Sequence, residues 1–287
     1  MKSDKPISRT AGISLLALAV LALACVSMPT VEQERRMARD ISQQARREMH
    51  MLKDEVVERY ITDIGNAIVS AAGPQVFDFE FSVVENDELN AMAAPGGNVF
   101  IHTGLILQVR NVSELAGVMA HEIAHVVKRH PAESMTRAQN QQLLRTIAIM
   151  GTGVVGGSSA QMAAEALTGV SALAYINRFS RENEREADEF ALRVLPRAGY
   201  DPEGMVTMFE TLQQRAGSSR SPVFLSSHPS TAERFTKARR YLAMNPPPPG
   251  LRRTDGGRLE IIQCRIYLLT GRQCDIPPSA EPGRGAR

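Results

Sequence analysis

His121, Glu122 and His125 stand together in the run HEIAH, inside a segment of helical character spanning residues 111–130. In that segment Val112, Leu115, Val118, Met119, Ile123 and Val126 recur at spacings of three and four, the period of an amphipathic helix. At about 100° per residue, positions i and i+4 share a face, so both imidazoles can reach one metal ion. Glu122 points to one side, where its carboxylate can take a proton from a water held by that ion. Asn111 with Glu114 three residues later fits a capping box, and Pro131 fits a stop beyond the far end.

A catalytic zinc takes three protein ligands and leaves one position open, so HEIAH needs a third donor. Residues 180–195 read SRENEREADEFALRVL, a helix starting at Ser180 and stopping before Pro196. With Glu184 at 0°, Asp188, Ala191 and Leu195 fall within about 40° of it. Glu182, Glu186, Glu189 and Arg193 gather on the opposite, solvated face. Acids on a core-facing side are costly without a strong partner. Glu184 is therefore the expected third ligand, and Asp188 the acceptor that orients a histidine ring.

These helices need elements around them. Residues 31–72 read as a long helical region, charged at first and then striped with Val57, Ile61, Ile64 and Ile68, until Gly73-Pro74 breaks it. VFDFEFSVV alternates, with Phe77, Phe79, Phe81 and Val83 on one face, as a strand with one wet side. Residues 90–94 and 99–103 read as short strands flanking the turn Pro95-Gly96-Gly97-Asn98. Two readings of that turn stand: the glycines let a substrate backbone approach in β-augmentation style, or they make a plain hairpin. His102 is expected on the second strand and His50 on the surface, neither as a ligand. The Gln-, Ala- and Gly-rich stretch 132–175 suits a buried helical hairpin or a mobile lid; neither half is long enough for a membrane pair. The fold class expected is α+β, predominantly helical, with a small sheet or hairpin beside the HEIAH helix.

At 287 residues the chain can form one domain of about 230 residues plus tails. There is no Trp and only 5% aromatic residues, which argues against an aromatic nucleic-acid platform. Lys2, Lys5 and Arg9 form a basic n-region, and residues 11–24 an apolar h-region, as in a signal peptide over residues 1–24. The segment ends LALAC. Ordinary cleavage after Ala22-Leu23-Ala24 and lipidation of Cys25 at a lipobox both fit, although Ala22 stands where a lipobox usually has Leu. An uncleaved anchor is the third possibility. Removing residues 1–24 leaves 30 basic and 30 acidic side chains from the 33 and 31 of the whole chain, since Lys2, Lys5, Arg9 and Asp4 go. The remaining formal charge of zero points to no polyanionic partner. Of the other two cysteines, Cys264 and Cys274 lie close enough for a disulfide in an exported protein. The alternative, a Cys-based metal site, lacks neighbouring His or Cys. NPPPPG at 245–250 reads as a stiff linker, residues 259–269 as strand-like, and the stretch to 287 as a disulfide-tied hairpin with a disordered tail.

HEIAH followed some sixty residues later by EREAD, with N-A-x-A-x-P-G-G before it, resembles the M48 zinc metallopeptidases, over roughly residues 34–241. The resemblance implies a zincin-like (gluzincin) domain within residues 25–244 and one Zn2+ per chain. It implies His121, His125 and Glu184 as ligands, Glu122 as general base, Asp188 as support, and Asn90, Pro95, Gly96 and Gly97 along the substrate path. Through the motif HP-x-x-x-x-R it adds His228 beside the metal, as a gate or a carbonyl-binding group, and Arg234 for substrate. The local alternative for both is a Ser-His-Pro loop capping a helix. The family's heat-shock and prenyl-processing branches carry transmembrane helices that are not evident here, and no helical-pair repeat follows Arg234. The expected protein is thus an envelope endopeptidase of the bacterial periplasm, lipid-anchored to the outer membrane and degrading misfolded or unassembled proteins. A zinc-binding chaperone or assembly-factor lipoprotein that cuts little is the alternative, and oligomeric state is left open.

Overall fold

The computed structural model describes residues 27–151, 179–215, 224–228 and 232–274. The signal segment with Cys25, most of the 132–175 stretch after residue 151, Pro229 and the last thirteen residues lie outside the described residues. Ten helices and three strands are described, in the order α1 (Val31–Glu48), α2 (Glu55–Ala72), β1 (Glu80–Val84), β2 (Ala91–Ala93), β3 (Asn98–His102), α3 (Thr103–Gln108), α4 (Val112–Val127), α5 (His130–Gly151), α6 (Arg181–Arg197), α7 (Glu203–Arg215), α8 (Phe224–Ser227), α9 (Ala232–Met244) and α10 (Arg258–Leu269). The predominantly helical α+β class expected from the sequence is what is found. No helix among the described residues is long and apolar enough to cross a membrane.

The HEIAH helix, α4, is the centre. Every residue from Val112 to Val126 is buried, because α2, α6, α7 and β2 all pack on it. A helix enclosed on all sides has no solvated stripe, which is why small residues (Ala116, Gly117, Ala120, Ala124) fill the positions between its large ones. Asn111 caps it by accepting from Glu114 N. The expected capping box is incomplete, however. Glu114 turns its carboxylate away to Arg110 N, Arg110 Nε and Thr207 Oγ1, tying the helix start to α7. At the other end the chain leaves α4 through Arg129, the one described non-glycine residue with positive φ, at 60°. Pro131 does not stop α4. It sits in the first turn of α5, where its missing N–H costs nothing.

The sheet has the order β1-β3-β2, with β1 parallel and β2 antiparallel to β3. Period-two alternation sends Phe81, Val83, Ala91, Ala93, Val99 and Ile101 into the main core. Met92, Ala94 and Phe100 face the other way, under Ala45, Ile41 and Met49 of the α1 segment. β1 is shorter than the alternation of residues 76–84 suggested, although Phe77 is still buried. Likewise the region 31–72 is two helices, since Asp54 caps a new helix by accepting from Val56 N and Val57 N. Splitting there lets α1 lie over one face of the sheet while α2 lies under the other.

Residues 259–269 are a helix, α10, and not the strand expected. Leu259, Ile262 and Ile266, at spacings of three and four, are the residues it buries, which is the helical period and not the alternation of a strand. Asp255 Oδ1 accepts from Leu259 N, and Cys264 and Cys274 are disulfide-bonded. The three buried residues belong to the main core beside α2 and α3.

The contact between α7 and α4 is backbone against backbone. A Cβ on Gly204 would lie 2.3 Å from the carbonyl carbon of Ser113, and one on Gly117 would lie 3.0 Å from Met205 Cα. Gly204→Ala must push α7 off the start of α4. We expect a loss of about 3 kcal/mol, read as a lowered Tm; an unchanged Tm would mean the two helices slide apart freely.

Candidate metal centre

His121 and His125 leave α4 on the same side, and α6 brings Glu184 to meet them. His121 Nε2 and His125 Nε2 are 3.0 Å apart. Glu184 Oε2 is 3.5 Å from His121 Nε2, and Glu184 Oε1 is 3.5 Å from His125 Nε2. Zinc held tetrahedrally at about 2.0–2.1 Å from each nitrogen separates its donors by roughly 3.3 Å, so these spacings suit one small cation. His228, just after α8, closes the group. Its Nδ1 is 3.2 Å from His121 Nε2 and 2.9 Å from Glu184 Oε1. Donor atoms of these four buried residues all lie within 4.8 Å of one another. Imidazole and carboxylate donors gathered in this way fit a zinc ion.

Capping explains why α6 delivers its acids here. Ser180 accepts from Asn183 N while the Asn183 side chain reaches back to Ser180 N, a reciprocal cap. The helix runs to Arg197, with Pro196 in its last turn, two residues past the expected stop. Glu184, Asp188, Ala191 and Leu195 are all buried, as helical phase required.

Asp188 lies behind His121: its Oδ1 is 3.0 Å from His121 Nδ1. Arg234 on α9 lies behind Asp188, donating from Nε and Nη2 to the two carboxylate oxygens at 2.7 Å each. Its Nη1 is 2.6 Å from Glu184 Oε2. Arg234 was expected along the substrate path. It is instead a buried clamp across two acids of α6. Burial works against the Asp188 carboxylate, but Arg234 and then His121 together outweigh it and hold the group below its ordinary range. Glu184 is held low in the same way, its desolvation overcome by His228 and His121.

Glu122 behaves differently. Its side chain is fully buried, with no side-chain donor hydrogen-bonded to either oxygen among the described residues, and the Ala93 backbone lies against it. Burial pushes this carboxyl up, opposed by His228 and His121. The nitrogen His228 Nε2 stands 3.4 Å from Glu122 Oε1, so the His228 ring spans from the ligand cluster to the acid. Burial holds His125 well below the usual imidazole range.

The remaining sequence candidates are less close to this centre. Asn90 is buried, its carbonyl accepting from His102 N. Pro95, Gly96 and Gly97 are buried rather than open to a substrate. Gly96 has φ +80° and its Cβ would meet Glu34 O of α1 at 2.4 Å; Gly97 has φ +119° and meets Asp78 O at 2.0 Å. Close packing thus accounts for both glycines, Gly96 beneath α1 and Gly97 against the chain entering β1. His102 ends β3 outside the cluster, and burial lowers it to about 4. Two residues of the region were missed from sequence: His130, against His125, and Phe179, stacked on the His125 ring. His130 carried a signal, the second histidine of HVVKRH, but at i+5 it falls off the ligand face of a continuous helix.

Residues 55–242 match the family model described as Peptidase family M48. The chain belongs to peptidase family M48. Among its M48 relatives, the "Beta-barrel assembly-enhancing protease" of Escherichia coli is 37% identical over 213 residues, covering 73% of this chain and 44% of the relative. The protein of the same name from Yersinia pestis is 34% identical over 223 residues, 77% of this chain and 46% of its own. "Mitochondrial metalloendopeptidase OMA1" of Schizosaccharomyces pombe is 27% identical over 217 residues, 74% and 62% of the two chains. The M48 region is thus shared, while the chain spans less than half the length of the two bacterial relatives.

The clamp can be tested apart from any reaction. Arg234→Ala leaves two buried carboxylates without their cation and should cost about 3–5 kcal/mol in denaturant unfolding. Arg234→Leu with Asp188→Leu removes both charges of the pair and should cost less than the single change. Equal losses would show that the guanidinium only fills space.

Proposed function

We propose that this chain is a zinc endopeptidase that cuts unfolded or unassembled proteins in the bacterial envelope. The observation that carries the reading is the convergence of His121, His125 and Glu184 at donor spacing, with the buried Glu122 carboxylate beside them. In this reading His121, His125 and Glu184 hold one zinc per chain, and Asp188 fixes the His121 ring through Nδ1. Bound there, zinc would supply Lewis-acid polarisation of a peptide carbonyl and a more acidic attacking water. Glu122 takes the proton from that water and returns it to the leaving amine. Burial raises the affinity of this carboxylate for a proton, the direction a general base needs.

β2 ends the sheet on one side and packs beside α4. An extended peptide can add to that edge in β-augmentation style, with Asn90 at its start. His228 fills the space at the cluster where a substrate carbonyl has to sit, so the ring must swing aside before cutting. That closed arrangement is the observation favouring the second reading, a zinc-binding assembly factor with little proteolysis.

The n-region, h-region and Cys25 support export and lipid attachment, and the names of the bacterial relatives support an envelope role. Cells expressing the chain should incorporate labelled palmitate, and Cys25→Ala should abolish the label; label surviving in that variant would place any lipid elsewhere.

Degradation of an unfolded model protein decides between the two readings. Zinc-loaded chain 25–287 should cut, and Glu122→Gln at equal zinc occupancy should be slower by roughly 100-fold or more. Glu184→Ala should lose zinc and cutting together, and full zinc retention would refute that ligand assignment. Silence of the wild type with one zinc bound would favour the assembly-factor reading.

A further inference from the structure

The two histidines of α4 are held by unlike partners. His121 has a carboxylate at Nδ1, Asp188 Oδ1 at 3.0 Å. At Nδ1 of His125 stands another imidazole, His130 Nδ1, at 2.9 Å. On the far side of that ring, His130 Nε2 lies 3.6 Å from Glu186 Oε2 of α6. The side chains of His125 and His130 are 0% and 3% exposed, whereas that of Glu186 is 40% exposed. Phe179 stacks flat on the His125 ring, with centroids 3.9 Å apart and planes 14° apart. Stacking fixes the plane of the ring but not which edge turns toward the cluster.

A backbone feature places His130 there. Five residues along a continuous helix amount to about 500°, so His130 would point some 140° away from His125. The left-handed turn at Arg129, φ 60°, breaks α4 and carries His130 back beneath the ring. That conformation is uncommon for a residue with a Cβ. It is held by the Arg129 side chain, which donates from Nε to buried Glu34 at 2.6 Å and from Nη2 to Pro29 O. A strained residue anchored this firmly indicates that the placement of its neighbour His130 matters.

We propose that His130, held in one tautomer by Glu186, is a positioning residue for His125. The protons admit a single arrangement. Two Nδ1 atoms at 2.9 Å share one proton. With Nε2 of His125 turned to the ligand cluster as a bare donor, the shared proton belongs to His125 Nδ1, and His130 Nδ1 accepts it. The proton of His130 is then on Nε2, facing the Glu186 carboxylate. The order Glu186, His130, His125 thus does for one histidine what Asp188 does directly for the other. Glu186, on the outward face of α6, acquires a role that its exposure conceals.

The inference rests on the proposed zinc site, and the test separates the two. Zinc affinity is measured by chelator competition, and the visible absorption of the cobalt(II)-substituted chain reports ligand geometry independently of activity. His130→Leu removes the acceptor, His130→Asn keeps an oxygen close to the Nδ1 position, and Glu186→Ala removes only the outer carboxylate. Zinc binding should weaken about 10- to 100-fold in His130→Leu, with a shifted cobalt spectrum. His130→Asn should remain within a few-fold of wild type, and Glu186→Ala should fall between the two. Wild-type affinity and spectrum in His130→Leu would overturn the proposal, as would equal weakening by His130→Leu and His130→Asn. Should His130→Leu fail to fold, Glu186→Ala decides at an exposed position: an unchanged affinity and spectrum there overturns the proposal. A wild-type chain that binds neither zinc nor cobalt refutes the metal site itself.

Discussion

Two carboxylates buried side by side on α6 are the constraint on which the centre of this molecule depends. Glu184 and Asp188 lie one helical turn apart, each almost wholly out of water. Unpaired, either group would lose several kcal/mol of hydration. Arg234 meets both, His121 meets both, and His228 meets Glu184. This mutual compensation joins α4, α6, α9 and the residue after α8 through charge, where apolar packing alone would leave their relative positions loosely defined. It also leaves four metal-binding side chains with donor atoms within 4.8 Å of one another.

Helix α4 imposes the complementary condition. Because it is enclosed by helices and by β2, its polar residues sit where the effective dielectric is low and interactions are strong. Glu122 lacks the partners that Glu184 and Asp188 have, and the consequence is a carboxyl shifted in the opposite direction. Three acids on one centre thus sit in two different electrostatic environments, two paired with cations and one pressed upward by burial.

The outer parts serve the same end. α1 covers one face of the sheet and packs on Gly96, so the sheet has one covered face and one face in the core. Glu34 of α1 reaches Arg129 at the end of α4, connecting the N-terminal helix to the turn that places His130. At the other extreme α10 closes the core over α2 and α3.

Much of the centre was legible in the chain because helical phase is a local property. The i, i+4 pair His121 and His125, and the shared face of Glu184 and Asp188, follow from 3.6 residues per turn whatever surrounds them. The two short strands about Pro95-Gly96 were legible for the same reason. What the sequence left open depends on contacts between distant segments. Whether Arg234 met a substrate or an acid was decided by the approach of α9 to α6. The glycines at 96 and 97 could serve a substrate or a plain hairpin turn until α1 was found packed on the first and the Asp78 backbone on the second. Residues 259–269 are compatible with either period until their buried side is known, and the core supplied it. His130 points away from the ligands in any helix that continues past Arg129, and only the left-handed turn there, anchored by Glu34 from 95 residues away, returns it to His125.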